Sequence, residues 1–163
     1  METLMKYLAV AGGGAAGAML RYYLGGSILS RIAAPFPTAT FVINITGSFI
    51  IGFFLTLINE RIPINPNVRL AVAVGFVGAY TTFSTFEYET ARLIEERDFI
   101  IGLLYIALSL VLGFAAVTGG IVAARQLGGI SFLSSSAVKS VAAQEENVAV
   151  APTENKNDEV RSR

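Results

Sequence analysis

Four apolar stretches fill most of the first 125 residues of this chain. Each is long enough to matter, because about 20 apolar residues span the hydrocarbon core of a bilayer. Lipid offers the backbone no hydrogen bonds, so a stretch at that depth must be helical unless protein or water surrounds it. The stretches run from about Met5 to Leu29, Thr38 to Ile58, Val68 to Leu93 and Phe99 to Ala124. Pro35 and Pro37 mark the first connection, Pro63 and Pro66 the second, and Glu95-Glu96-Arg97-Asp98 the third. The chain is 53% hydrophobic and only 15% charged, with a mean hydropathy of +0.61. The fold expected is an all-α, multi-pass membrane protein, with residues 1–128 forming a four-helix transmembrane subunit. Lys6 and the small apolar residues after it imitate a signal peptide, but no polar cleavage region follows before Arg21-Tyr22-Tyr23. Residues 134–163 are rich in Ser, Ala, Glu and Asn, and 129–163 is expected to form a polar, disordered tail.

What the chain lacks narrows its chemistry. It has no cysteine, so disulfides, iron–sulfur clusters and thiolate nucleophiles are excluded. It has no histidine, which removes the usual neutral-pH proton carrier and the commonest metal ligand. The formal net charge is zero, so no basic surface points to nucleic acid. No phosphate-cradling motif is present, which excludes nucleotide-driven pumping. Nothing in the composition points to an enzyme.

The third stretch departs most from a plain spanning helix. Residues Gly75 to Phe86 read GFVGAYTTFSTF. Thr81, Thr82, Ser84 and Thr85 interleave with Phe83 and Phe86, and Gly75–Gly78 is the expected break in the helix. At about 100° per residue, Thr82, Thr85, Phe86 and Glu89 share one side of a helix. That is a hydroxyl stripe ending in a carboxylate, as in a polar track. The phenylalanines have a plain alternative in lipid contact or packing. Their ring edges carry positive partial charge, however, and suit an anion shedding water. A backbone opened over Gly78–Thr81 would also free carbonyl oxygens, which are natural ligands for a small cation such as Na⁺.

The other stretches carry smaller signals. Gly13 and Gly17 form a GxxxG spacing that lets helices approach closely, and packing accounts for them. Arg21 near the inner end of the first stretch either snorkels to the interface or lines an anion-attracting vestibule. Asn44, Ser48 and Gly52 recur every four residues on one face of the second stretch. Asn44 either ties helices together or offers its amide to an anion. Tyr105, Ser109 and Gly113 form a second polar stripe at the same spacing. With four spans, one side would carry Lys6, Arg61, Arg69 and Arg125 and the other Arg21, Arg31, Arg92 and Arg97. That balance is compatible with insertion in both orientations, and equally with one loop dominating insertion.

Together these motifs resemble the Fluc (CrcB) family of fluoride channels. The resemblance covers essentially residues 5–125, through GGGAAGAMLRY (Gly12–Tyr22), VINITGSFIIG (Val42–Gly52) and GFVGAYTTFSTFE (Gly75–Glu87). The third segment is highly specific, and the first two fall in the right order and spacing. Some members have a second glycine after Gly78, where this chain has Ala79. The resemblance implies four-helix subunits, the third helix broken near its middle, assembled as an antiparallel, dual-topology homodimer in a prokaryotic plasma membrane. It implies two fluoride pores and a central structural Na⁺ held by main-chain carbonyls, which fall here on Gly78 and Thr81. The pore phenylalanines fall on Phe83 and Phe86 and the pore asparagine on Asn44. The hydroxyl track falls on Ser84, Thr85, Tyr105 and Ser109, its carboxylate on Glu89, and the vestibule arginine on Arg21.

The function so implied is passive, fluoride-specific export down an electrochemical gradient, lowering cytoplasmic fluoride and its toxicity. Fluoride, the bilayer and a second copy of the chain are the partners. A four-span proton-coupled multidrug exporter is the alternative within transport, but it needs an acid deep in the first span. Here Glu2 lies outside it and the next carboxylate is Glu60. A membrane anchor or assembly subunit would leave the hydroxyl–Phe cluster without a purpose.

Overall fold

The computed structural model describes the backbone of residues 1–27 and 35–150 and the side chains of 1–26 and 35–127. Every regular element among them is helical. Helix α1 spans Glu2–Ser27 and α2 spans Thr38–Glu60. The third stretch is assembled from pieces: α3 (Pro66–Arg69), a wide π-helical segment (Leu70–Val77), α4 (Gly78–Tyr80) and α5 (Phe83–Glu95). Helix α6 spans Phe99–Val150. Met1–Gln126 forms one compact unit, which holds all of the candidate site, and Leu127–Arg163 is counted apart.

Among the described residues, three segments are long and apolar enough to cross a membrane: Thr38–Glu60, Pro66–Glu95 and Phe99–Leu127. Helix α1, with 26 residues, matches them in length. Lys6, Arg21 and five glycines between Gly12 and Gly25 dilute its apolar character. The expected end of the first stretch at Ile28 and Leu29, and Arg31 beyond it, lie outside the described residues.

Local sequence explains how the third stretch starts and breaks. Asn65 Oδ1 accepts from Asn67 N–H at 2.8 Å, and Pro66 takes the first helical position, where its missing N–H costs nothing. The helix then continues through Gly75 and Gly78 and opens at Thr81 and Thr82. Thr81 (φ −81°, ψ 157°) and Thr82 (φ −149°, ψ 118°) are extended. The break expected at Gly75–Gly78 therefore lies three residues further on. Gly75 serves close packing instead: a Cβ there would stand 2.6 Å from Val10 O and 2.9 Å from Gly14 N, both in α1. Gly13 and Gly17 answer from α1, seated on the carbonyls of Ala71 and Phe76. The GxxxG pair thus packs α1 against the π segment, as its spacing suggests.

Thr82 starts α5 by accepting Thr85 N–H at its Oγ1, 3.3 Å away. The helix ends at a tight turn in which Asp98 N–H reaches back to Leu93 O at 2.8 Å. Arg97 occupies the left-handed position of that turn (φ 67°), where glycine is the usual residue. Helix α6 returns alongside α2, and Arg125 Nη2 pairs with Glu60 Oε1 at 2.8 Å.

Beyond Gly128-Gly129 the described backbone is helical to Val150. Residues 130–150 contain no proline or glycine, and their Ala, Gln, Glu and Lys favour helix locally. The part of the expected tail at 151–163 lies outside the described residues.

Candidate functional site

The site is organised around the break, and the break is held by Asn44. From α2, Asn44 Nδ2 donates to Thr82 O at 3.0 Å. Thr82 N–H donates back to Asn44 Oδ1 at 2.9 Å. One side chain thereby replaces a strand partner for an extended residue. The position allows this because Gly47, one turn along α2, has no Cβ; an added one would collide with Thr81 Cγ2. Each bond contributes about 0.5–1.5 kcal/mol net, and leaving a buried group unmet costs about 1–3 kcal/mol. Tyr80, only 3% exposed, anchors the preceding turn, its hydroxyl 2.8 Å from Thr46 Oγ1.

The pairing diverts the helix's own hydrogen bonds. In a continuous helix Thr82 N–H would serve Gly78 O and Thr85 N–H would serve Thr81 O. Here the first goes to Asn44 Oδ1 and the second to Thr82 Oγ1. Thr81 closes its own turn, with N–H to Val77 O at 3.0 Å and Oγ1 to the same carbonyl at 2.9 Å.

Two cavities meet at Thr82. The first, about 430 Å³, is an open groove lined by Asn44, Ser48, Gly78, Thr81, Phe83, Phe86 and Ser109, among others. Phe83 and Phe86 stand with ring centroids 5.9 Å apart. Phe83 is 71% exposed, so its ring is free to face whatever enters the groove. Ser109 Oγ is buried with no hydrogen-bond partner among the described residues. The second cavity, about 450 Å³, is lined by Arg21, Thr40, Thr82, Thr85 and Glu89 together with the turn at Phe36. Arg21 Nε is buried there and also lacks a partner among the described residues. A guanidinium N–H left unmet beside a cavity is suited to an anion or to water.

Glu89 joins three helices. Thr40 Oγ1 of α2 donates to Glu89 Oε1 at 2.8 Å, and Tyr105 OH of α6 donates to Glu89 Oε2 at 2.8 Å. Tyr105 is fully buried. Its ring lies 5.0 Å from Phe86 and 5.3 Å from Phe36. One carboxylate therefore fixes the wall that Phe86 belongs to.

The structure brings most of the sequence-derived candidates together. Asn44, Gly78, Thr81, Phe83, Phe86 and Ser109 share the first groove, and Arg21, Thr85 and Glu89 share the second cavity. Tyr105 stands behind the wall rather than in either space, connected through Glu89. Ser84 lies exposed on α5 and lines none of the described cavities. Asn44 ties helices together, and it also lines the groove. Thr40 was missed as a participant, and Thr82 was read only as part of the hydroxyl stripe, not as the backbone partner of Asn44. Thr40 sits one turn before Asn44 in α2, so the stripe could have been read one step further back. The pairing of Thr82 with Asn44 crosses 38 residues and leaves no local trace.

Comparison with known proteins places these residues in a family setting. A family model described as CrcB-like protein, Camphor Resistance (CrcB), matches residues 8–121. The Fluoride-specific ion channel FluC of Solibacter usitatus (strain Ellin6076) is 49% identical over 122 residues, 75% of this chain and 100% of that protein. The protein of the same name in Acidobacterium capsulatum is 48% identical over 123 residues, 76% of this chain and 98% of its own. That of Sulfurihydrogenibium sp. (strain YO3AOP1) is 43% identical over 122 residues, 75% of this chain and 98% of its own.

Proposed function

The chain belongs to the CrcB-like family, and from that premise we propose that it is a fluoride-specific ion channel, not an enzyme. Fluoride leaves the cell passively down its electrochemical gradient, which lowers its cytoplasmic level and toxicity. The observation that carries this reading is the clamped break at Thr81–Thr82, with Phe83 and Phe86 on the groove beside it. An ordinary anchor has no use for an opened backbone at that depth.

In the working unit α1 is the fourth span, and two copies of the subunit pair antiparallel, in both orientations, in a prokaryotic plasma membrane. The large exposed apolar side chains, among them Leu103, Val111 and Phe114, meet lipid or the second copy. Arg21 draws an anion into the second cavity. Thr85, Ser109, the second N–H of Asn44 and the ring edges of Phe83 and Phe86 exchange with its water as it moves. Glu89, held by Thr40 and Tyr105, keeps the Phe86 wall in place.

A Na⁺ fits the break on the chemistry of its donors. The carbonyls of Gly78 and Thr81 have lost their helical donors to Asn44 and to the Thr82 hydroxyl, and hard oxygens suit a hard cation. Such an ion is structural, not transported, and supplies a fixed positive charge next to the groove. A drug-exporter reading lacks its acid: Glu2 is exposed at the start of α1 and pairs with Lys6 at 2.7 Å.

Liposomes reconstituted with the full chain test the reading. Fluoride-loaded vesicles should discharge when the protein is present, and chloride-loaded ones should not. Equal release of both ions, or no fluoride release, would sink it.

A further inference from the structure

We infer that Asn44 is the positioning residue of the cation site, acting through its side-chain oxygen on the backbone of the third helix. The inference rests on the reading above that the Gly78 and Thr81 carbonyls hold Na⁺, and it assigns the cause of their availability.

A helix does not surrender a carbonyl without a competing acceptor. Thr82 N–H would close on Gly78 O if nothing else took it, because a buried backbone donor left unmet is costly. Asn44 Oδ1 takes it at 2.9 Å. The Nδ2 bond to Thr82 O at 3.0 Å then fixes the amide's orientation, so that oxygen and not nitrogen faces the N–H. The effect passes to the next turn. With Thr82 held extended (φ −149°, ψ 118°), its hydroxyl is placed to accept Thr85 N–H at 3.3 Å, which in a helix belongs to Thr81 O. One side chain on α2 thus accounts for both candidate cation ligands, while its own hydrogen bonds go to Thr82. The two functions of the groove are linked by the same residue, since Asn44 also lines the space beside Phe83 and Phe86.

The oxygen and the nitrogen of Asn44 are separable by substitution. Asn44→Asp keeps the acceptor for Thr82 N–H and removes the amide donor. Asn44→Leu and Asn44→Ala remove both. Na⁺ binding is measured on the purified full chain as equilibrium ²²Na⁺ uptake and as Na⁺-dependent thermal stabilisation. Neither readout needs fluoride transport. The wild-type chain and Asn44→Asp should bind Na⁺ with affinities within threefold of each other, or tighter in the Asp variant. The apolar variants should lose tenfold or more. Dimer content from size exclusion is recorded alongside; if neither apolar variant assembles, Asn44→Asp decides alone.

Retention of wild-type affinity in Asn44→Leu or Asn44→Ala would overturn the inference while leaving the Na⁺ site standing. Loss in Asn44→Asp as deep as that expected of the apolar variants would also overturn it. Absence of Na⁺ binding by the wild-type chain would overturn the site itself, and the inference with it.

Discussion

Tyr105→Phe removes one hydroxyl from the centre of the site and nothing else. The ring keeps its edge-to-face partner Phe36 at 5.3 Å and its neighbour Phe86 at 5.0 Å. What goes is the donor 2.8 Å from Glu89 Oε2, in a place where Tyr105 has no exposed surface for water to reach. A hydrogen bond to a carboxylate contributes about 1.5–3 kcal/mol, and the orphaned oxygen adds its own desolvation cost. The substitution should therefore lower stability by about 2 kcal/mol, measured by reversible unfolding in mixed detergent. Thr40→Val removes the other donor, which lies 2.8 Å from Glu89 Oε1. Because both donors serve one carboxylate, the double variant should be non-additive by about 0.5–3 kcal/mol. Fluoride efflux is followed in parallel. If about 1.4 kcal/mol of the lost interaction is felt at the ion's barrier, flux falls about tenfold. Additive stabilities together with wild-type flux in Tyr105→Phe would refute the view that Glu89 fixes the Phe86 wall.

Phe83→Ile should cut fluoride flux with little effect on stability, because Phe83 is 71% exposed; Phe86→Ile should cut flux and also loosen the contact with Tyr105. Wild-type flux in both would remove the phenylalanines from the pore. Gly17→Ala should cost about 1–3 kcal/mol by driving a methyl into the Phe76 carbonyl. Gly12→Ala, whose added Cβ would meet nothing within 4 Å, should be neutral or stabilising by up to about 1 kcal/mol; equal effects would show that α1 is not seated as described. Rigorous replacement of Na⁺ in preparation and assay should impair fluoride flux, and full activity without it would count against the carbonyl site.

Much of the fold was legible because membrane spans are written in local composition. The helices at Thr38–Glu60 and Phe99–Leu127 follow directly from apolar runs bounded by proline and charge. The position of the break was less legible, because glycine has two uses. At Gly75 it admits a neighbouring helix, whose Val10 carbonyl fills the space. The chain opens instead at Thr81–Thr82, where a long-range partner rewards extension. The polar candidates were found from stripes on single helices. Their assignments to one another, such as Thr40 with Glu89 and Tyr105, depend on three helices meeting and cannot be read from any one of them. Ser84, from the same polar run, is exposed on α5, because membership of a polar run does not decide which way a side chain faces.

The central claim is passive, selective fluoride conduction, and a reversal potential tests it most directly. The full chain is fused into a planar bilayer with a tenfold fluoride gradient and equal chloride on both sides. The account predicts reversal at the fluoride equilibrium potential, about 59 mV for a monovalent ion, unmoved by an added chloride or proton gradient. Reversal near zero, or one that follows chloride or pH, would contradict it.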